Sequence, residues 1–399
     1  MLFQIIDTKN NCPNIFCESG EVLPLESVLK LTKTWKYNNV LREYSGNLDY
    51  GFVAAKGTSV SDSCPENLKD EWAKLESRLK AYYKSFAISK VSLEENCFYD
   101  LIPYEFTQKY FSIKNEITDF TLSKVKDENY RFLCRVHEML QEVSSSDLTL
   151  SLENLRHDFH KAKTRSFFKK IKNKQTSSRI SYNMFKSKTG RLTTNKGTFP
   201  ILNLDKEHRS IIEPKNDLFV ELDYNGAEIR TLLALSGNNQ PDIDIHMWNL
   251  DNCTSGNITR EEAKEKFFAW LYNPSAEDIM LQKFYDKKIY KKYWNGRKIV
   301  TPYGRSIDCG EYHSLNYLIQ STTSDMVLEN SIKVHESLKM LKSGISFLVH
   351  DSIVIDCYRE DIKSIKKAIK EFSETRFGKF NVTVKIGKNY GTMETVEWK

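Results

Sequence analysis

Two β-rich runs in this chain meet an aspartate, and where those two acids can meet limits the fold more than any other feature. Leu218-Phe219-Val220-Glu221-Leu222-Asp223 is a short apolar run that closes on an acid. It passes through Asn225-Gly226 into a helix expected over Ala227 to Ser236, which Gly237 can terminate. Much later, Ile345 to Val349 and Ile353 to Cys357 flank His350-Asp351-Ser352, the pattern of a hairpin with the acid at its tip. One more strand is expected over Val382 to Ile386. Strands and helices interleave without a regular βαβ rhythm, so the expected fold class is α+β.

If adjacent strands carry Asp223 and Asp351 to one sheet edge, two carboxylates stand close together and repel unless cations lie between them. Hard Mg²⁺ ions suit such a place, because they prefer oxygen ligands and keep several waters. Two ions ~3.5–4 Å apart can serve an in-line phosphoryl displacement. Taken alone, the same residues also fit two unrelated turn acids.

A second pattern lies between the strands. Thr259 and Glu262 fit a capping box that fixes a helix start. Arg260, Lys264, Phe268 and Tyr272 then recur every four residues and share a broad helix face. Two cations near the N-terminal end and two rings farther along suit a nucleoside triphosphate. Taken alone, the spacing is met more often by an ordinary surface helix with an aromatic stripe packed on the core.

At 399 residues the chain is long for one domain and points to two or three lobes. The net charge of +6 is modest, but about a dozen Lys and Arg lie between Arg156 and Arg191 against one acid, Asp158. Such a block favours phosphate binding, or is a solvated linker. The eight cysteines are scattered without a CxxC pair, which argues against structural zinc and disulfides and fits a reducing cytoplasm. No apolar run approaches membrane-spanning length, and the first residues lack the basic start of a signal peptide. Residues 1–90 read as short strands and loops, and Glu105 to Val143 as helical.

The motifs TGRLTT (Thr189 to Thr194), DYNGAEIR (Asp223 to Arg230), RxxxKxxxFxxxY (Arg260 to Tyr272), NxxxQ (Asn316 to Gln320) and VHDS (Val349 to Ser352) follow one another in order. With TPYGR (Thr301 to Arg305), the chain from about Arg179 onward resembles the family A DNA polymerases, the bacterial polymerase I and phage type. The resemblance implies a right-hand polymerase fold with an antiparallel palm sheet, helical fingers and a helical thumb. The expected division is an N-terminal region of unknown role at 1–90, thumb and basic segment at 91–190, palm at 191–245 and 301–399, and fingers at 246–300.

The resemblance also implies roles. Asp223 and Asp351, with the Tyr224 carbonyl, match the metal-binding set for two Mg²⁺ ions, with Mn²⁺ as a substitute. Glu228 matches the glutamate that excludes a 2′-hydroxyl and so favours dNTPs. Arg260 and Lys264 match the triphosphate-binding pair, with Lys264 also the acid toward pyrophosphate. Phe268 matches the ring on the incoming sugar, Tyr272 the tyrosine near the templating base, and His246 a histidine near the phosphates. Arg191, Asn316 and Gln320 match residues in the minor groove of the primer-template, where contacts sense pair shape without reading sequence. His350 matches a residue at the primer end. A processivity factor, or a separate exonuclease or helicase, is an expected partner, and the host cytoplasm the expected location for a phage enzyme.

The sequence departs from the family at Ser352, where an acid is usual, at Tyr312 in place of arginine, and at Phe267-Phe268-Ala269 in the fingers helix. The stretch from Tyr272 to Asn316 is short. Upstream, Ile6-Asp7-Thr8-Lys9 lacks the glutamate of a proofreading Asp-x-Glu, so no 3′–5′ exonuclease is expected. Two rivals are a single-subunit RNA polymerase, against which Glu228 speaks, and a catalytically silent DNA-binding accessory protein on the same scaffold.

Overall fold

Asp223 is the penultimate residue of the central strand of a five-stranded antiparallel sheet. The computed structural model describes residues 2–5, 14–17, 51–58, 60–91, 101–125, 128–173, 175–273 and 275–397. The Ile6-Asp7-Thr8-Lys9 stretch lies outside them. The chain divides into two compact units, Met1–His137 and Glu138–Lys399.

In the first unit, helix α1 (Lys69–Ile88) buries Trp72, Leu75 and Leu79, and Trp72 stacks on Tyr110 of α2 (Tyr104–Ser123) with ring centroids 5.0 Å apart. A strand-and-loop reading of residues 1–90 thus does not hold over α1. Its apolar positions recur at helical spacing, a period that the turn residues upstream obscured. A short hairpin pairs Leu2–Ile5 with Asn14–Cys17, and α3 (Tyr130–Ser145) crosses the boundary between the units.

The second unit is built on strands β1 (Leu218–Tyr224), β2 (Gly344–Val349), β3 (Ser352–Cys357), β4 (Val382–Gly387) and β5 (Glu394–Val396), in the order β2-β3-β1-β4-β5. Phe219, Val220 and Leu222 are fully buried on β1, which marks a strand covered on both faces until it reaches the acid. Side chains alternate along a strand, so Glu221 and Asp223 share one face while Tyr224 takes the other. There Tyr224 stacks on Phe372 of α9 (Ile362–Ser373) at 4.3 Å, and its hydroxyl accepts from Asn330 Nδ2 at 2.8 Å.

The remaining helices are α4 (Ala162–Lys172), α5 (Ala227–Leu235), α6 (Ile245–Cys253), α7 (Arg260–Tyr272) and α8 (Glu311–Leu338). Ile229 and Leu233 of α5, Ile245 of α6, Phe267 and Trp270 of α7 and Leu318 of α8 form one apolar cluster. This cluster seats α7 against the α5 helix that leaves the Asp223 strand. The helix and strand expectations around both aspartates agree with the structure, including the α7 start and the β2–β3 hairpin.

Candidate active site

Register brings the two acids together. Antiparallel pairing sets Ser352 opposite Asp223, and the Tyr224 amide donates to the Asp351 carbonyl at 3.4 Å, so Asp351 flanks the end of β1. Val349 pairs with Ser352, leaving His350 and Asp351 as a two-residue loop, and His350 takes the left-handed conformation at φ 52. A bulky residue adopts that conformation at a cost, which the well-paired hairpin sustains.

The chain then turns sharply after Tyr224. Gly226 has φ +64, and a Cβ there would lie 2.4 Å from Ile245 Cγ2. Only glycine lets β1 run into α5 while α6 packs this close. Buried Arg230 fixes the next loop by donating to the carbonyls of Asn225 (2.8 Å), Pro241 (2.8 Å) and Ile243 (2.6 Å). That loop delivers Asp244, whose carboxylate caps α6 through the His246 and Met247 amides, both at 2.9 Å.

Both ends of α7 are anchored. The Thr259 amide donates to Glu262 at 2.6 Å, completing the capping box, and the Lys287 ammonium donates to the Trp270, Asn273 and Ala276 carbonyls at its far end. The helix thereby presents Arg260, Lys264 and Phe268 to an open cleft of about 430 Å³. Arg191, Asp223, Tyr224, Glu228, His246 and Asp351 line the same cleft. His350 lies on a smaller neighbouring cavity with Arg191 and Asp351.

Electrostatics divides this cleft into an acidic floor and a cationic wall. Burial pushes the Asp223 carboxyl up to about 6, with Glu221 adding and Lys385 opposing, although 42% of its side-chain surface stays accessible. Burial likewise pushes Asp351 up to about 6; Glu228 and Asp223 add to the rise, while Arg191 opposes it. Both acids thus favour a cation close by. On the wall, burial holds Asp244 back, yet its bonds from Arg260, Met247 and Asn225 keep the carboxyl far below the usual range. Arg260 grips it with two bonds, 3.2 Å from Nε and 2.7 Å from Nη2. Exposed Lys264 adds a second positive charge. His246 is buried, pushed down to about 4 by burial and by Arg260, Lys264 and Arg230 against Asp244, and its Nδ1 has no partner among the described residues. It is a neutral imidazole at physiological pH, with a ring nitrogen to offer.

Glu228 is held from two sides. Arg191 donates to Oε1, and the Tyr272 hydroxyl donates to Oε2 at 3.1 Å. Phe268 and Tyr272 stack with centroids 5.9 Å apart, so the α7 ring stripe is real, but only Phe268 lines the cleft. Asn316 and Gln320 lie on α8 outside both cavities; Gln320 accepts from the Thr189 hydroxyl at 2.7 Å, which ties α8 to the loop carrying Arg191.

The structure adds residues that the motifs did not assign. Glu221, Lys385, Asp244 and Asn225 all contact site residues, and the alternation of β1 was the signal that placed Glu221 beside Asp223. The basic block reads differently in three dimensions. Lys161 and Lys163 pair with Glu207 and Asp205, Arg179 with Asp147, and Arg165 donates to backbone carbonyls. Lys169, Lys170 and Lys172, in the last turn of α4, stay exposed. Much of the block's charge is neutralised internally, because distant acids that no linear count can see face it.

A structure described as the POL domain of Pol1 from M. smegmatis, in complex with DNA primer-template and dNTP, superposes with a TM-score of 0.57. The match covers 72% of this chain and 76% of that one, at 14% identity. This is the right-hand polymerase fold. No family model matches the sequence. Among curated proteins, a DNA polymerase of Bacillus phage SP01 is 33% identical over a match covering 22% of this chain and 11% of that protein. A DNA polymerase of Mycobacterium phage D29 is 22% identical, covering 37% of this chain and 30% of that protein. The chain therefore spans less than a third of the length of either curated relative. Among the described residues no helix is long and apolar enough to cross a membrane.

No cluster of three or more His, Cys, Asp or Glu side chains suited to a metal occurs among the described residues. Mg²⁺ needs no such cluster, because it binds through one or two carboxylates together with substrate phosphates and water. The donor chemistry of Asp223 and Asp351, both strained toward protonation, fits such ions.

Proposed function

We propose that the chain is a template-directed DNA polymerase that adds dNTPs to a primer 3′-hydroxyl, with Asp223, Asp351 and the Tyr224 carbonyl holding two divalent cations. The observation that carries this reading is the strand register that sets both acids on the floor of one cleft, opposite Arg260, Lys264 and His246. Bound Mg²⁺ supplies Lewis-acid activation of the attacking hydroxyl and charge neutralisation at the phosphates.

The protein's own groups do the rest. Arg260 and Lys264 bind the triphosphate, and Lys264 supplies the proton to the leaving pyrophosphate. Neutral His246 donates to a phosphate oxygen without adding charge. Glu228, fixed by Arg191 and Tyr272, fills the space that a 2′-hydroxyl needs, and Phe268 packs on the sugar. Arg191, Asn316 and Gln320 face the minor groove of primer-template DNA, and His350 the primer end. The exposed α4 lysines hold backbone phosphates irrespective of sequence.

In this reading the five-stranded sheet is the palm (191–245 and 301–399), 246–300 the fingers, and 91–190 the thumb. The role is phage DNA replication in the host cytoplasm, with a processivity factor, or a separate exonuclease or helicase, as partner. The missing glutamate after Asp7 supports a lack of 3′–5′ proofreading; excision of a mismatched primer end without pyrophosphate would overturn that part. The test of the whole is extension of a primed template with dNTPs or NTPs, with and without Mg²⁺. Extension that needs Mg²⁺ and prefers dNTPs is the expected result, and NTP-selective extension would favour an RNA polymerase instead.

A further inference from the structure

A charged pair sits beside Asp223 with no part in the reading above. Lys385 of β4 lies directly across from Glu221 of β1, and its ammonium donates to Glu221 Oε2 at 2.8 Å. The same ammonium is 3.9 Å from Asp223 Oδ2. The Glu221 side chain is only 9% exposed and Lys385 31%, so neither charge is dissolved in bulk water. Ser352 closes the group: its hydroxyl donates to the Val349 carbonyl at 3.0 Å and lies 3.4 Å from Glu221 Oε1.

The geometry is asymmetric. Lys385 stands between two carboxylates, at hydrogen-bond distance from one and just beyond it from the other. A free ammonium at this place would settle on Asp223 and compete with any cation there. Glu221 prevents this by taking the stronger contact. We infer that Glu221 and Lys385 form a positioning pair for the Asp223 site, in which Glu221 tethers Lys385 away from Asp223 and so leaves Asp223 open to a divalent cation.

The inference rests on the cation-binding reading of Asp223, and it makes opposite predictions for two members of one ion pair. Removing Glu221 frees Lys385 to pair with Asp223, so cation affinity falls. Removing Lys385 deletes the competitor and leaves Glu221 as added negative charge, so affinity rises. A pair that only braces β1 against β4 would change affinity in the same direction for both.

The experiment is Mn²⁺ binding to the full chain without DNA or nucleotide, followed by the paramagnetic resonance of free Mn²⁺, with folding checked by circular dichroism. Glu221→Gln should weaken binding and Lys385→Met should tighten it, each roughly tenfold, as expected for one nearby charge. The Glu221→Gln, Lys385→Met double variant should return to within about threefold of wild type. Should Glu221→Gln not fold, the other two variants still decide, because Lys385→Met must bind more tightly than wild type. Two singles that shift together, or do not shift, overturn the inference. Asp223→Asn and Asp351→Asn separate the levels: if wild type binds no Mn²⁺ more tightly than these variants, the cation-binding reading itself fails.

Discussion

Gly190 lies against the Arg305 guanidinium: a Cβ on Gly190, at φ +77, would stand 2.6 Å from Arg305 Cζ. Arg305 in turn grips buried Asp325 through two bonds, 2.9 Å from Nε and 2.7 Å from Nη2. The glycine of the TGR motif and the arginine of TPYGR are thus one contact, which sets the loop that carries Arg191. Gly190→Ala should lower stability by about 1–3 kcal/mol through backbone strain and the clash. Arg305→Met, which strands the Asp325 carboxylate, should cost about 3–5 kcal/mol. Urea unfolding measures both, and an unchanged Gly190→Ala midpoint would contradict the packing argument.

The clamp on Glu228 leads to a selectivity prediction. Glu228→Ala removes the carboxylate that Arg191 and Tyr272 hold in place. Discrimination against ribonucleotides should fall by a hundredfold or more on the order-of-magnitude scale of one lost exclusion contact. Tyr272→Phe, which frees only one side of the clamp, should lie between. Single-nucleotide insertion with dATP and ATP measures the ratio, and unchanged sugar selectivity in Glu228→Ala would remove the gate.

On the cationic wall, Arg260 is engaged by Asp244 whereas Lys264 is not. In the proposed reading a triphosphate meets Lys264 directly but must compete with Asp244 for Arg260. Lys264→Ala should lower kcat/KM by roughly 100- to 1,000-fold, and Arg260→Ala mainly raise the dNTP KM. Pre-steady-state insertion kinetics separate the two, and equal effects on kcat and KM in both variants would contradict the division of roles.

The floor of the cleft predicts a pH dependence. Asp223 and Asp351 are each pushed up to about 6, so from the ordinary carboxylate range to about pH 6 the folded chain binds more protons than the unfolded one. Their contribution to stability then falls as pH rises through that window, and a bound cation offsets the loss. Thermal melts should show little stabilisation by Mg²⁺ at pH 5 and a clear upward shift at pH 7.5. Equal shifts at both values would contradict titration of these acids.

Much of this was legible in the linear chain. The β1 run, the β2–β3 hairpin and the capping box of α7 each follow from local patterns, and the structure places them where those patterns put them. What was not legible depends on register and on distant partners. Lys385 meets Glu221 only because β4 pairs with β1 at one alignment, and nothing near either residue specifies it. Asp325 lies mid-helix in α8, where a lone acid gives no sign of being buried against Arg305. The basic block overstated the free charge because Asp205 and Glu207 fold onto it. The α1 helix was missed because its amphipathic period begins after a long run of turn-forming residues.

The central claim is that Asp223 and Asp351 act at one place to support nucleotide addition. Its most direct test is single-turnover primer extension in Mg²⁺ by wild type, Asp223→Asn and Asp351→Asn, with primer-template affinity measured alongside. Both variants should lose at least about a thousandfold in rate while binding DNA nearly as wild type does. Near-normal turnover in either one would contradict the account.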